Sequence, residues 1–301
     1  MAAECILLFG AGGQLGSTFV EAWNRPERLI ALTRAEADLA VPGQVAAAIA
    51  RYRPVIVINA AAYTAVDKAE SEPELAQRIN SDAVGEIAEA CAALDIPLLH
   101  YSTDYVFDGG KLGAYTETDV PAPLSVYGRS KLAGEQAAAR NPKHLVLRTS
   151  WVFGPHGGNF LRTILRLAGE RESLNVVDDQ IGAPTPTTLI VSASLAALGQ
   201  LRNAPADDPH WGIYHLTAAG ETSWCGFARW IVQEASRLGV PMQLTATAIQ
   251  AIPSAGYPTA AVRPLNSRLD CGKLRTTFAV DLPDWRAVAL PVLTRLLHTH
   301  S

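Results

Sequence analysis

Tyr127 and Lys131 stand four residues apart in Ser125-Val126-Tyr127-Gly128-Arg129-Ser130-Lys131, shortly after Tyr101-Ser102-Thr103-Asp104. On a helix, positions i and i+4 share one face, one above the other. A free phenol titrates near ~10 and exchanges protons poorly at neutral pH. An ammonium beside it favours the phenolate and lowers that value. A hydroxyl from Ser102 or Thr103 would hold the phenol against the same substrate oxygen. Such a trio suits the passing of a proton to or from a carbonyl or alcohol oxygen while a hydride moves at the adjacent carbon. A Tyr-x-x-x-Lys pair alone is also what a core tyrosine beside a solvated lysine looks like, so the surrounding elements must decide.

The N-terminus decides. The run 5–9, Cys-Ile-Leu-Leu-Phe, is short and continuously apolar, as in a strand covered on both faces. Gly10-Ala11-Gly12-Gly13-Gln14-Leu15-Gly16 follows at once, and 17–23 reads as a helix. Glycines 10, 13 and 16, with Gly12 between them, give a tight turn, a close backbone approach to a pyrophosphate and close helix–sheet packing. A second strand, 29–32, ends at Thr33-Arg34. Many sites of this kind place an acid there to hold ribose hydroxyls. Here Arg34 suits a 2′-phosphate, favouring NADPH, while Asp38-Leu39 begins a stretch suited to wrapping an adenine.

Strand-to-helix alternation continues along the chain. Residues 45–52 read as a helix, and 55–58 as a buried strand ending in the small-residue segment 59–64. The alanine-rich 73–94 reads as one helix, 97–101 as a strand delivering Ser102, Thr103 and Asp104, and 145–148 as another strand. Helices follow at 159–168, 189–201, 224–238 and 285–297. The pattern predicts an α/β fold, a doubly wound parallel sheet of the Rossmann type with a smaller C-terminal substrate-binding lobe. Residues 1–152 form the dinucleotide-binding domain, completed by a helix or strand from about 183–210, and 153–301 form most of the substrate lobe. The polar, proline-containing 203–209 is read as a crossing between lobes. His100 is read as part of its strand.

The 301 residues are 49% hydrophobic and 18% charged with net charge −4, which is ordinary for a soluble enzyme and gives no basic stripe for nucleic acid. No apolar run approaches the ~18–20 residues of a membrane span. Cys5, Cys91, Cys225 and Cys271 are far apart and read as reduced thiols, so a cytoplasmic location is expected. Asp178-Asp179 and the scattered histidines have no metal-ligand spacing, and no metal ligands are assigned.

With these residues in view, the chain resembles the extended short-chain dehydrogenase/reductases. The resemblance is carried by FGAGGQLG at 9–16, VINAAAYTAVDKAESEP at 57–73, YSTDYVFDG at 101–109 and YGRSKLAGE at 127–135. It continues with RTSWVFGPHGGNF at 148–160, DDQIGAPT at 178–185, HLTAAGETSW at 215–224 and RPLNSRLD at 263–270. It implies reduction of the C4 keto group of dTDP-4-dehydro-β-L-rhamnose to dTDP-β-L-rhamnose by NADPH or NADH, in making a cell-surface polysaccharide precursor. Tyr127 would donate the proton, Lys131 would hold the nicotinamide ribose and lower the Tyr127 pKa, and Thr103 would tune it. Gly10, Gly12, Gly13, Gln14, Leu15, Gly16, Arg34, Asp38, Leu39, Ala61, Ala62, Tyr63, Thr64 and Tyr101, with Tyr127 and Lys131, are the cofactor positions. Tyr63 stands where histidine is often expected. Val66, Thr103, Asp104, Trp151, Asn159 and Arg263 are the substrate positions. Trp151 would pack on the sugar, and Asn159 and Arg263 are candidates for diphosphate oxygens. Some members hold Mg2+ at a homodimer interface through acidic residues, so the resemblance admits both without placing the ion. The small-molecule partner is a nucleotide sugar.

Rival readings keep the scaffold. A dehydratase would want a carboxylate pair after Thr103, but Asp104 is followed by Tyr105. An epimerase acting on another nucleotide sugar, or a non-catalytic NADP-binding regulatory subunit, stays open.

Overall fold

Parallel pairing buries a strand on both faces, so the continuous apolar runs should lie side by side in the interior. In the computed structural model, which describes residues 4–23 and 28–298, they do. β1 (Ile6–Phe9), β2 (Leu29–Leu32), β3 (Ile56–Asn59), β4 (Leu98–Thr103), β5 (His144–Thr149) and β6 (Gly212–His215) form one sheet in the order β2-β1-β3-β4-β5-β6, every pair parallel. Alternate residues feed opposite layers. Leu8, Ile58, Leu99, Leu145 and Leu147 enter one core, and Leu7, Phe9, Val57, Leu98 and Val146 the other. Each fully buried aliphatic side chain contributes about 1.5–3 kcal/mol relative to exposure.

Helices cover both faces. α1 (Gln14–Ala22) begins at the glycine turn, three residues before its predicted start, and α2 (Gln44–Tyr52) follows β2. The predicted single helix over 73–94 is two helices joined by a wide turn. α3 (Val66–Ala69) precedes it, then α4 (Pro73–Gln77), a π-helical segment Arg78–Asp82 and α5 (Ala83–Ala93). Composition could not reveal that turn, because it answers to a neighbour: a Cβ at Gly134 would meet the Asn80 carbonyl oxygen at 2.1 Å. α6 (Val126–Ala138) therefore lies directly against it.

The C-terminal part adds α7 (Phe160–Glu170), α8 (Thr187–Leu201), α9 (Trp224–Arg237), α10 (Gly272–Phe278) and α11 (Trp285–His298). The segment 203–209, read as a crossing between lobes, instead links α8 to β6 of the same sheet. Among the described residues no helix is long and apolar enough to cross a membrane. The chain leaves β1 toward β2 on one side and β3 on the other. The crevice at the strands' C-terminal ends between β1 and β3 is where such sheets bind ligands.

Candidate active site

The glycine turn closes that crevice. Gly10 has φ +81°, and a Cβ there would come within 2.6 Å of the Ala61 nitrogen; one at Gly16 would come within 2.1 Å of the Gly10 oxygen. A side chain at Gly12 would meet nothing within 4 Å, so this backbone faces open space. Gly13 caps α1, and no described side chain bonds its first-turn N–H groups, which suits an anion. Across the crevice, the hydroxyls of Ser102, Thr149 and Ser150 are buried with no partner among the described residues. Buried polar atoms left so usually await a ligand or water. These features fit a dinucleotide. Arg34 stands largely in solvent and its Nε donates to Asp38 at 3.1 Å, which ties both candidates into one ion pair beyond β2. Leu39 is buried beside them.

On the β3 side, Ala61, Ala62, Tyr63 and Thr64 line the strand end. Asn80 from the π-helical turn clamps this segment. Its Oδ1 accepts from the Tyr63 nitrogen at 2.8 Å, and its Nδ2 donates to the Tyr63 oxygen and to Ser130 Oγ, each at 3.0 Å. The Tyr63 ring points away and its hydroxyl donates to Glu72 at 2.7 Å. The backbone, not the ring, is thus what this residue presents.

α6 is set in place at its N-terminus. Ser125 Oγ accepts from the Gly128 nitrogen at 3.1 Å, and Glu70 accepts from the Val126 nitrogen at 2.7 Å. A Cβ at Gly128 would meet the Tyr105 oxygen at 2.2 Å, so the helix rests on the turn Asp104–Val106. The Tyr127 ring packs edge-on against Tyr105 with centroids 5.5 Å apart. Burial pushes the Tyr127 phenol up to about 12; the Asp104 charge adds to this, and a hydrogen bond with Thr103 opposes it. The lowering expected from Lys131 is not among these influences. Lys131 Nζ turns to the Tyr101 oxygen at 2.6 Å, and spacing on a helix face does not fix where a long side chain points. Burial brings Lys131 itself down to about 8, with Glu135 pulling the other way. A phenol at this value stays protonated at neutral pH, the form a proton donor needs.

Thr103 donates to Asp104 Oδ1 at 3.0 Å and accepts from the Tyr105 nitrogen at 3.2 Å. Asp104 is 2% exposed, and its Oδ2 makes no bond of standard geometry among the described residues, although Ser267 lies close enough to ease its charge. Burial raises its pKa to about 6. Between the ordinary carboxylate range and that value the folded state holds the extra proton, so stability falls as pH rises, by up to about 3 kcal/mol. Asp104→Asn should gain on the parent by about that amount between pH 4 and pH 7.5 in urea melts. A constant difference across this range would show that Asp104 is ionised throughout.

The opposite wall is aromatic. Trp151 sits at φ +48°, strained for a bulky residue, and stacks on Trp224 at 3.7 Å and 11°. A Cβ at Gly182 would meet its ring at 2.7 Å. Half-buried Val66 opens α3. Two candidate diphosphate residues also have partners within the chain. Arg263 makes a bidentate pair with Asp67 at 3.0 and 2.7 Å. Asn159 caps α7 by accepting from the Arg162 nitrogen at 3.1 Å, and donates to Gln14 and the Gly154 oxygen at 3.0 and 2.9 Å. Asn159 thus ties the start of α7 to the first residue of α1.

The site also contains Asn80, Glu70, Trp224 and Ser267, none of which the sequence singled out for a role. The break of an alanine-rich helix at Ile-Asn-Ser was the one local hint for Asn80. Among the described residues no three His, Cys, Asp or Glu side chains gather where a metal would sit.

A sequence profile described as the RmlD substrate binding domain matches residues 4–297. The chain is 45% identical over 299 residues to a dTDP-4-dehydrorhamnose reductase of Escherichia coli K12, covering 98% of both chains. It is 45% identical over 280 residues, 92% of both, to one of Sinorhizobium fredii. Among solved structures it is similar to a Bacillus anthracis dTDP-4-dehydrorhamnose reductase in complex with NADP, with TM-score 0.85 and 33% identity over 98% of this chain and 99% of that one.

Proposed function

Since the chain belongs to the RmlD substrate-binding family, we propose that it reduces the C4 keto group of dTDP-4-dehydro-β-L-rhamnose to dTDP-β-L-rhamnose. The observation that carries this reading is the pairing of Tyr127 with Thr103 and of buried Lys131 with Tyr101, which sets both α6 side chains at the C-terminal end of β4, in the sheet whose β1 opens into the glycine turn. NADPH or NADH, when bound, supplies the hydride. Gly10–Gly16 and Ala61–Thr64 hold the dinucleotide, and Lys131 orients its ribose. Tyr127 keeps its proton at working pH and delivers it to the C4 oxygen as negative charge develops there. Thr103 steadies the phenol. Trp151 offers a flat apolar face to the deoxysugar's C–H edge. Asp104 is followed by Tyr105 and not by a second carboxylate, which leaves no adjacent acid–base pair for dehydration.

The test is loss of cofactor absorbance on mixing the protein with NADPH and dTDP-4-dehydro-β-L-rhamnose, with the product identified by chromatography. Oxidation with dTDP-rhamnose formed supports the assignment; NADPH binding with no oxidation overturns it and favours a binding subunit.

Cofactor preference follows from the Arg34–Asp38 pair. Arg34 meets a 2′-phosphate and Asp38 meets a 2′-hydroxyl, so NADPH is favoured while NADH is still accepted. Arg34→Ala is expected to raise KM for NADPH about tenfold, the worth of one charge-assisted contact at an exposed site, with KM for NADH nearly unchanged. Equal effects on both cofactors would remove Arg34 from the phosphate.

A further inference from the structure

Lys131 Nζ has a second neighbour that the mechanism does not use. His100, on β4 and 1% exposed, places Nε2 3.4 Å from it. The other ring nitrogen, Nδ1, lies 3.2 Å from Asn59 Nδ2 at the end of β3. The Asn59 amide is oriented by a group that can only donate: the Ala61 N–H donates to Asn59 Oδ1 at 3.1 Å. The amide NH2 therefore faces His100, and Nδ1 must accept. Burial and the Lys131 charge hold His100 neutral, its pKa well below the ordinary range. A neutral imidazole carries one proton, which this arrangement puts on Nε2, aimed at Lys131. An ammonium has no lone pair, so an Nε2–H meets it donor to donor; a neutral amine accepts that hydrogen.

We propose that His100, locked as its Nε2–H tautomer by Asn59, is a positioning residue that stabilises Lys131 as a neutral amine and so makes it ready to release a proton. The consequence rests on the reductase reading. When Tyr127 has given its proton to the substrate oxygen, a phenolate remains and must be reprotonated. Nζ is turned to the Tyr101 oxygen, so a proton leaving Lys131 reaches that phenolate through water, with one N–H bond broken and one O–H bond formed overall. The lone pair left on nitrogen is the acceptor His100 requires. The other groups facing Lys131 bear on the same balance. Glu135, on its own helix, favours the ammonium and is tied to Arg148 of β5. The Tyr101 oxygen accepts from it, and the Asp104–Val106 turn brings Asp104 and Tyr105 against the Tyr127 end of the helix. The π-helical turn contributes neutral Asn80, its Arg78 being paired with Glu86.

The test uses the full chain labelled with 15N-histidine and 13C-lysine. The His100 signals, identified by their loss in His100→Gln, should show the proton on Nε2. The Lys131 midpoint should rise in His100→Gln, whose amide is free to offer its oxygen to the ammonium. It should rise also in Asn59→Leu, where the ring can move its proton to Nδ1. About a tenfold gain in proton affinity, one pH unit, is expected in both, with the alkaline limb of kcat moving up alongside and KM for NADPH within about threefold. A proton on Nδ1 in the parent, or an unmoved Lys131 midpoint in the folded variants, overturns the proposal. If one variant fails to fold, the other and the parent's tautomer decide. Because both spectra are read without substrate, an expected tautomer and midpoint shift with no reductase turnover would sink only the reductase reading.

Discussion

Tyr127→Phe is expected to lower kcat by about 10²- to 10⁴-fold, the range that a positioned general acid contributes. The ring would keep its edge-on contact with Tyr105, and α6 would keep its cap from Ser125 and its anchor at Glu70, so the fold should survive. Only the hydroxyl and its bond with Thr103 are lost. No described side chain takes over. Asp104, with a pKa raised to about 6, is largely ionised at pH 7 and has little proton to give. A thousandfold loss corresponds to about 4 kcal/mol of transition-state stabilisation. Cofactor affinity, read by titration calorimetry, should stay within a few-fold, because the glycine turn and the 61–64 segment are untouched. Loss of NADPH binding or of cooperative melting in the variant would mean that Tyr127 is structural. Thr103→Val should cost less, since it removes a partner of the phenol and leaves the donor.

What the sequence made legible was local. Continuous apolar runs predicted β1 and β3 because burial on both faces leaves no polar alternation. The glycine turn was legible because its spacing is itself the geometry. Tyr127 and Lys131 were legible as a pair because helix pitch puts them on one face. The rest depended on contacts that spacing does not encode. The Asp67–Arg263 pair joins residues 196 apart and gives the arginine a partner that spacing does not show. Asn159 read equally well as ligand or cap, and only the position of Gln14 shows how its amide is committed. Helix pitch placed Lys131 beside Tyr127 but not the Tyr101 carbonyl that turns Nζ inward, nor the burial that raises the phenol. The π geometry at 78–82 packs against Gly134, a contact distant in sequence.

The largest stability effect is expected one turn beyond Lys131. Glu135 and Arg148 form a bidentate pair at 2.8 and 2.7 Å with side chains 2% and 3% exposed. The guanidinium also lies 5.0 Å above the Phe107 ring. Such a pair adds little net stability when intact, since both charges were taken from water, but removing one partner strands the other. The stranded Arg148 would find no substitute. His215 is 3.5 Å away, and burial together with the Arg148 charge depresses its pKa to about 3, so it is neutral and in no position to balance a cation. Glu135→Gln should therefore cost about 3–5 kcal/mol, a large share of the ~5–15 kcal/mol that holds a domain together, seen as a lower urea midpoint with an unchanged slope. Replacing both partners by apolar residues of similar volume, Glu135→Leu with Arg148→Met, should recover most of that loss, because no charge is then left buried. The single variant carries a second signature. Glu135 favours the Lys131 ammonium, so its neutralisation should move the alkaline limb of kcat downward, opposite to the shift expected in His100→Gln. A Glu135→Gln protein that loses stability with the limb unmoved would place the pair's field outside the catalytic lysine. A limb that falls as the stability falls would make one buried carboxylate both the counter-charge of the core and a regulator of proton supply at Tyr127.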